Sequence, residues 1–174
     1  MGEATQLEVD KGPRLFLALW PDDATRAALA RCRDEWNWSA TAKPQPDERL
    51  HMTLHFLGHV PARRMTEVLE GVTVPPGRLA LDIEHAEVWP KGAAVATPGT
   101  IPPALLALHA ALHERLERLA LAPESRRYRP HITLARSASG SIVPAAPRSV
   151  HWQANGYVLV ESKSHVYTVL RHYA

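Results

Sequence analysis

A histidine followed by a threonine two residues on, and then by leucine, occurs at His51-Met52-Thr53-Leu54 and again eighty residues later at His131-Ile132-Thr133-Leu134. Two imidazoles are the minimum set for acid–base chemistry near neutral pH. A histidine titrates near 6.5, so one of a pair can carry a proton while the other accepts one. Each role is worth about 10² to 10⁴ in rate. A hydroxyl in the matching place can donate to a non-bridging phosphate oxygen, a bond strengthened by the charge on its acceptor. The substrate suited to two opposed imidazoles with neutral donors is a phosphodiester, most simply a strained cyclic one. Protons and donors suffice for that chemistry, so no metal or cofactor is expected.

Both copies sit in runs that read as strands. In Arg49 to Gly58 the even positions Leu50, Met52, Leu54 and Phe56 are apolar, whereas His51, Thr53 and His55 occupy odd ones. Alternate side chains of a strand point to opposite faces. His51 and Thr53 are therefore expected on one face with His55 beside them, and Phe56 is expected in the core. In Arg129 to Arg136 the same alternation groups His131 and Thr133, while Arg136 falls with Ile132 and Leu134 at the strand end, where a long side chain can curl back.

The rest of the chain supplies the supports. Residues 1–13 are polar and read as a loose tail, and residues 14–174 as a single bilobal domain. Arg14 to Trp20 reads as a buried strand. Pro21-Asp22-Asp23 starts a helix carrying Ala28, Leu29, Cys32 and Trp36 at helical spacing. A short helix runs from Pro61 to about Leu69. Two strands are expected between Arg78 and Thr97. Pro102-Pro103 opens a long helix with Leu105, Leu108, Leu112, Leu116 and Leu119 inward and His113, Glu114 and Arg118 outward. Strands near Val150–Glu161 and Val166–Leu170 close the chain. Each half has a helix followed by a motif strand. The expected fold is α+β and quasi-duplicated, with antiparallel sheets lining a central cleft, the motif strands facing each other across it and helices outside.

Composition bounds the rest. The chain has 174 residues, 45% of them hydrophobic and 22% charged, with a net charge of +2, ordinary values for a globular domain. Arg126, Arg127, Arg129 and Arg136 cluster around the second motif and could attract a phosphate or a polyanion. The single cysteine, Cys32, permits no intramolecular disulfide and fits a reducing cytoplasm. No apolar run is long enough to span a bilayer. Met1-Gly2 lacks the Ser or Thr at position six that myristoylation requires. A monomer in the cytoplasm is expected, without a membrane partner.

With these motifs the chain resembles the two-histidine phosphoesterase superfamily, and within it the RNA 2',3'-cyclic phosphodiesterases also described as 2'-5' RNA ligases. The resemblance rests on RLFLAL at Arg14–Leu19, HMTLHFLG at His51–Gly58, YRPHITLAR at Tyr128–Arg136, LVES at Leu159–Ser162 and YTVL at Tyr167–Leu170. It implies hydrolysis of RNA 2',3'-cyclic phosphate ends to 2'-phosphomonoesters, with the natural substrate left open among tRNA fragments, small oligonucleotides and cyclic nucleotides. It implies that His51 is the general acid and His131 the general base. Thr53 and Thr133 would hold the phosphate, and Arg136 would add positive charge. Ala93–Thr97 is smaller than the bulky apolar strand of the family, which bears on cleft width and base preference.

Rival readings remain. The same site run in reverse would ligate RNA ends into a 2'-5' linkage. A non-catalytic binder of cyclic-phosphate ends is a third reading, although a pure binder has no use for both histidines. A metal site at His51, His55 and His59 lacks the helical His-Glu-x-x-His, Cys pair or carboxylate that ligand spacing demands. Trp152 and Tyr128 are the aromatic residues proposed to stack on bases.

Overall fold

The computed structural model describes residues 11–174. The first ten residues of the expected tail, Met1 and Gly2 included, lie outside the described residues. The elements are β1 (Arg14–Leu19), α1 (Asp23–Asp34), β2 (Lys43–Pro44), β3 (Met52–His59), α2 (Met65–Gly71), β4 (Arg78–Val88), β5 (Ala94–Pro98), α3 (Pro103–Arg118), β6 (Ile132–Arg136), β7 (Val150–Asn155), β8 (Tyr157–Lys163) and β9 (Val166–Tyr173).

All strand pairs are antiparallel within one curled sheet of order β7-β4-β5-β6-β3-β1-β8-β9, with β2 set against β6. The expected duplication is visible as two four-stranded halves, β3-β1-β8-β9 and β6-β5-β4-β7. They join in the middle, where the motif strands pair at Met52 and Ile132. The motif strands are thus side by side, and the two cleft walls belong to one continuous sheet.

One face of the sheet carries the main core. Leu15, Leu17 and Leu19 of β1 pack there in the same cluster as Leu105, Leu108, Leu112 and Leu116 of α3. The opposite, concave face carries a second cluster of Phe16, Ala18, Val158 and Val160, with Trp20, Tyr167 and Val169 against it. β1 is buried on both faces, which explains its unbroken apolar sequence.

Local chemistry sets the helix ends. Asp22 caps α1 by accepting from the Thr25 N–H at 2.7 Å, a contact whose removal typically costs about 1 kcal/mol. Pro103 occupies the first turn of α3, where its missing N–H is not needed. His113 differs from expectation. It turns toward His55, with ring centroids 5.9 Å apart, and pairs with Glu117 at 3.3 Å. The stretch expected as one strand over 150–161 is two, because Gly156 turns the chain at φ +81°, where a Cβ would strike the Tyr173 carbonyl.

Candidate active site

His51 enters β3 from a 3-10 turn at Asp47–Arg49. Its Nδ1–H donates to the Arg49 carbonyl at 2.6 Å, which leaves Nε2 of the neutral ring as an acceptor for the Thr53 hydroxyl at 3.0 Å. The carbonyl is itself held. The Arg49 guanidinium donates to the His165 carbonyl at 2.6 and 3.0 Å and lies 4.9 Å over the Tyr167 ring. From α1, Arg26 donates to the carbonyls of Asp47 and Leu50 at 2.6 and 3.1 Å, pinning the same approach.

His131 repeats the arrangement. Its Nδ1–H donates to the Arg129 carbonyl at 2.7 Å. The Arg129 guanidinium lies 4.1 Å over Trp89 and 3.9 Å from Glu87, whose carboxylate also accepts from Trp89 Nε1 at 2.6 Å. Each motif is therefore Arg-x-His-x-Thr-Leu. The arginine two residues before the histidine supplies the carbonyl that fixes the ring, and its side chain anchors on an aromatic ring. Sequence reasoning missed both clamps, although the shared arginine at that spacing was visible.

The surroundings of the two rings differ. His51 sits among Phe16, Trp20 and Tyr167, with centroids at 5.0, 5.6 and 5.5 Å. Desolvation by this sleeve pushes its pKa down to about 4, opposed by the Arg49 carbonyl and reinforced by the charges of His131, Arg26 and Arg136. His131 touches one ring, Trp89, at 4.5 Å. Its pKa is also lowered, chiefly by burial, with the Arg129 carbonyl opposing and Arg129 and Arg136 adding repulsion. Both histidines are thus neutral at pH 7, with Nδ1 bonded inward; Nε2 of His51 accepts from Thr53, whereas Nε2 of His131 makes no hydrogen bond with a described residue. In β6, Thr133 pairs with Val95 and Ala135 with Ala94, so Leu134 is an extra residue and Arg136 falls on the face of Thr133, opposite to its place in strict alternation.

The threonines follow their strands. Thr53 pairs with Ala18 and Thr133 with Val95, and both are half-buried. The Thr53 hydroxyl is engaged with His51, whereas the Thr133 hydroxyl makes no hydrogen bond with a described residue.

His55 does not join the site. Thr53 pairs with Ala18 and His55 with Leu17, so Leu54 is the extra residue of a β-bulge. A bulge reverses the alternation beyond it. His55 therefore turns into the core, 4% exposed, stacked on His109 at 4.0 Å and donating to the His109 carbonyl at 2.9 Å. Phe56, expected in the core, instead reaches the concave face, 52% exposed and 6.1 Å from Phe16. The three residues of the metal reading diverge, since His59 bonds the Gly12 carbonyl at 3.0 Å. Among the described residues no group of three or more His, Cys, Asp or Glu is placed to hold a metal.

The two expected stacking residues have other duties. Trp152 is core, 1% exposed. Tyr128 stacks on His109 at 4.0 Å and donates to the Thr53 carbonyl at 2.9 Å, bracing the first motif strand from behind. Of the arginine cluster, Arg126 pairs with Glu124 at 3.1 Å, whereas Arg129 stands over Trp89 beside His131.

A family model described as the 2'-5' RNA ligase superfamily matches residues 16–161. The chain belongs to this superfamily. The superfamily member is 28% identical over 185 residues to an RNA 2',3'-cyclic phosphodiesterase of Thermus thermophilus, covering 92% of this chain and 89% of that protein. It is 31% identical over 137 residues to an RNA 2',3'-cyclic phosphodiesterase of Escherichia coli, covering 77% of each. The crystal structure of E. coli LigT complexed with 3'-AMP is similar in fold, with a TM-score of 0.82 at 25% identity over 93% of this chain and 97% of that one. The resemblance drawn from the two motifs and the α+β fold expected from it are both borne out. No helix among the described residues is long and apolar enough to cross a membrane.

Proposed function

We propose that the chain hydrolyses 2',3'-cyclic phosphate ends of RNA to 2'-phosphomonoesters by paired-histidine catalysis. The observation that carries this is the repeated clamp on two adjacent motif strands, each imidazole held through Nδ1 by the carbonyl of the arginine two residues before it. Two relatives named RNA 2',3'-cyclic phosphodiesterase support the substrate class.

Water attacks phosphorus while Nε2 of His131 takes its proton. The bond from phosphorus to the 3' oxygen breaks, and Nε2 of His51 protonates that oxygen. The products are a 3'-hydroxyl and a 2'-phosphate. Thr53, released from His51, and Thr133 donate to the non-bridging oxygens, and Arg136 offsets their charge. His51 is neutral at rest, so it takes up its proton as the anionic diester arrives, because a nearby negative charge favours the imidazolium.

Ligation to a 2'-5' linkage follows the same path with an RNA 5'-hydroxyl in place of water: His131 takes its proton, the bond from phosphorus to the 3' oxygen breaks and His51 protonates that oxygen. The superfamily's own description favours keeping it as the second reading.

The test is a short RNA with a 2',3'-cyclic phosphate, incubated with the protein in excess chelator, and mapping of the product end. A 2'-phosphate is expected. A 3'-phosphate would reverse the roles of the ribose oxygens, and absence of product would overturn the activity. Adding RNA with a free 5'-hydroxyl to the same reaction measures how far ligation proceeds.

A further inference from the structure

The first half of the sheet carries a row of register partners running from the site to its edge. Thr53 of β3 pairs with Ala18 of β1, Ala18 with Val158 of β8, and Val158 with His172 of β9. Directly paired residues point to the same face, so His172 and Val158 share the concave face with Thr53. Neighbouring strands lie about 4.8 Å apart, so Val158 is roughly 10 Å from Thr53 along that face.

A pocket of about 260 Å³ opens there, lined by Trp20, Asp22, Gln153, Asn155, Val158 and His172 among others. Its volume lies just below the roughly 300 Å³ at which ligand clefts usually begin, which suits one planar fragment. Trp20 is a shared apolar wall, since its ring also stacks on His51 at 5.6 Å and has the Arg26 guanidinium 5.3 Å from its centroid. No lysine or arginine lines the pocket, and the Asp22 carboxylate is committed to the α1 cap. A second phosphate is therefore poorly served, whereas a neutral ring is well served.

The polar edge of the pocket has a fixed polarity. Asp82 accepts from His151 Nδ1–H at 2.7 Å, which leaves His151 Nε2 an acceptor for the Gln153 amide at 2.8 Å. That amide spends one N–H outward and keeps an oxygen and a second N–H. Asn155, next but one on β7 and therefore on the same side, has an amide with no hydrogen bond to a described residue. Amides whose donors and acceptors lie edge-on beside an aromatic wall are the usual equipment for reading an unstacked base.

The structure assigns this pocket as a subsite for one nucleobase among the last two nucleotides of the RNA end, with Trp20 and Val158 as apolar walls and Gln153 and Asn155 as the groups that read the base edge. The assignment rests on the proposed reaction for the identity of the ligand. It goes beyond that reaction in placing sequence preference at residues that touch neither histidine.

Dinucleotides ending in a 2',3'-cyclic phosphate, with each base placed in turn at either position, provide the test. The wild-type protein is expected to prefer one base at one position by roughly tenfold in KM, the order of one net hydrogen bond made or lost at a solvent-open edge. Asn155→Ala and Gln153→Ala should erase that preference while leaving kcat within about twofold. No base preference in the wild type, or an unchanged preference in both variants, would overturn the subsite. Calorimetric titration with the same dinucleotides ending in a 3'-phosphate runs the comparison without turnover. Lack of hydrolysis would then count against the proposed reaction alone, and the variants would still decide the pocket.

Discussion

The two histidines are held alike and surrounded differently. Each donates Nδ1–H to the carbonyl of the arginine two residues before it. Yet His51 lies against three aromatic rings and His131 against one. The Thr53 hydroxyl is tied to its histidine and the Thr133 hydroxyl is not. Duplication fixed the direction in which each Nε2 points. Divergence of the packing around each ring set how readily it takes a proton. A catalytic pair needs both, because identical rings in identical surroundings would compete for one protonation state.

The strongest way to break the comparison is to remove one ring at a time. His51→Ala and His131→Ala are each expected to lower kcat by about 10² to 10⁴, the usual worth of a general acid or base. The double variant should be little worse than either single one, because the two act as a unit. Single variants that keep near-full activity would show that the histidines do not carry the chemistry.

The clamps come next. Arg49→Ala and Arg129→Ala leave the carbonyls in place but free them to move. A misplacement of about 1 Å can cost on the order of 10² in rate, and a loss of roughly tenfold in kcat is expected for each. KM should rise more for Arg129→Ala, since Arg129 also contributes charge near His131. Steady-state kinetics on one cyclic substrate measures both effects. Equal kcat in all three proteins would reduce the arginines to surface packing.

These positions also show what the sequence could and could not disclose. The motifs, the threonines and the order of elements follow from periodicity, and Asp22, Pro103 and the leucines of α3 behave as their types require. The place of His55 was not legible. Strict alternation puts it with His51, and a single extra residue at Leu54 moves it to the opposite face. Nothing in the residues around Leu54 marks that bulge, because it arises from fitting β3 against β1. The adjacency of β3 and β6 was equally hidden, since the sheet order depends on pairing between strands far apart in the chain. The pocket beside Trp20 has the same origin, being assembled from the turn between β1 and α1 and from β7, β8 and β9 only once the register is set.

The smallest effect separates the roles of the two rings. Both pKa values are lowered, that of His51 to about 4. The profile of kcat/KM, which reports the free enzyme, should therefore be bell-shaped with both limbs below pH 6.5, the limbs belonging to the coupled pair. Bound diester raises the imidazolium pKa values, so the basic limb of kcat should lie at higher pH than that of kcat/KM. The bell alone does not say which ring is the acid, because an acid with the lower pKa gives the same limbs at a reduced plateau. Opening the sleeve does. Phe16→Ala, which leaves the Arg49 anchor on Tyr167 in place, admits water to His51 and raises its pKa. If His51 is the acid, more of the free enzyme then holds the required proton, and the plateau of kcat/KM rises severalfold. If His51 is the base, the same change protonates it and the plateau narrows or falls.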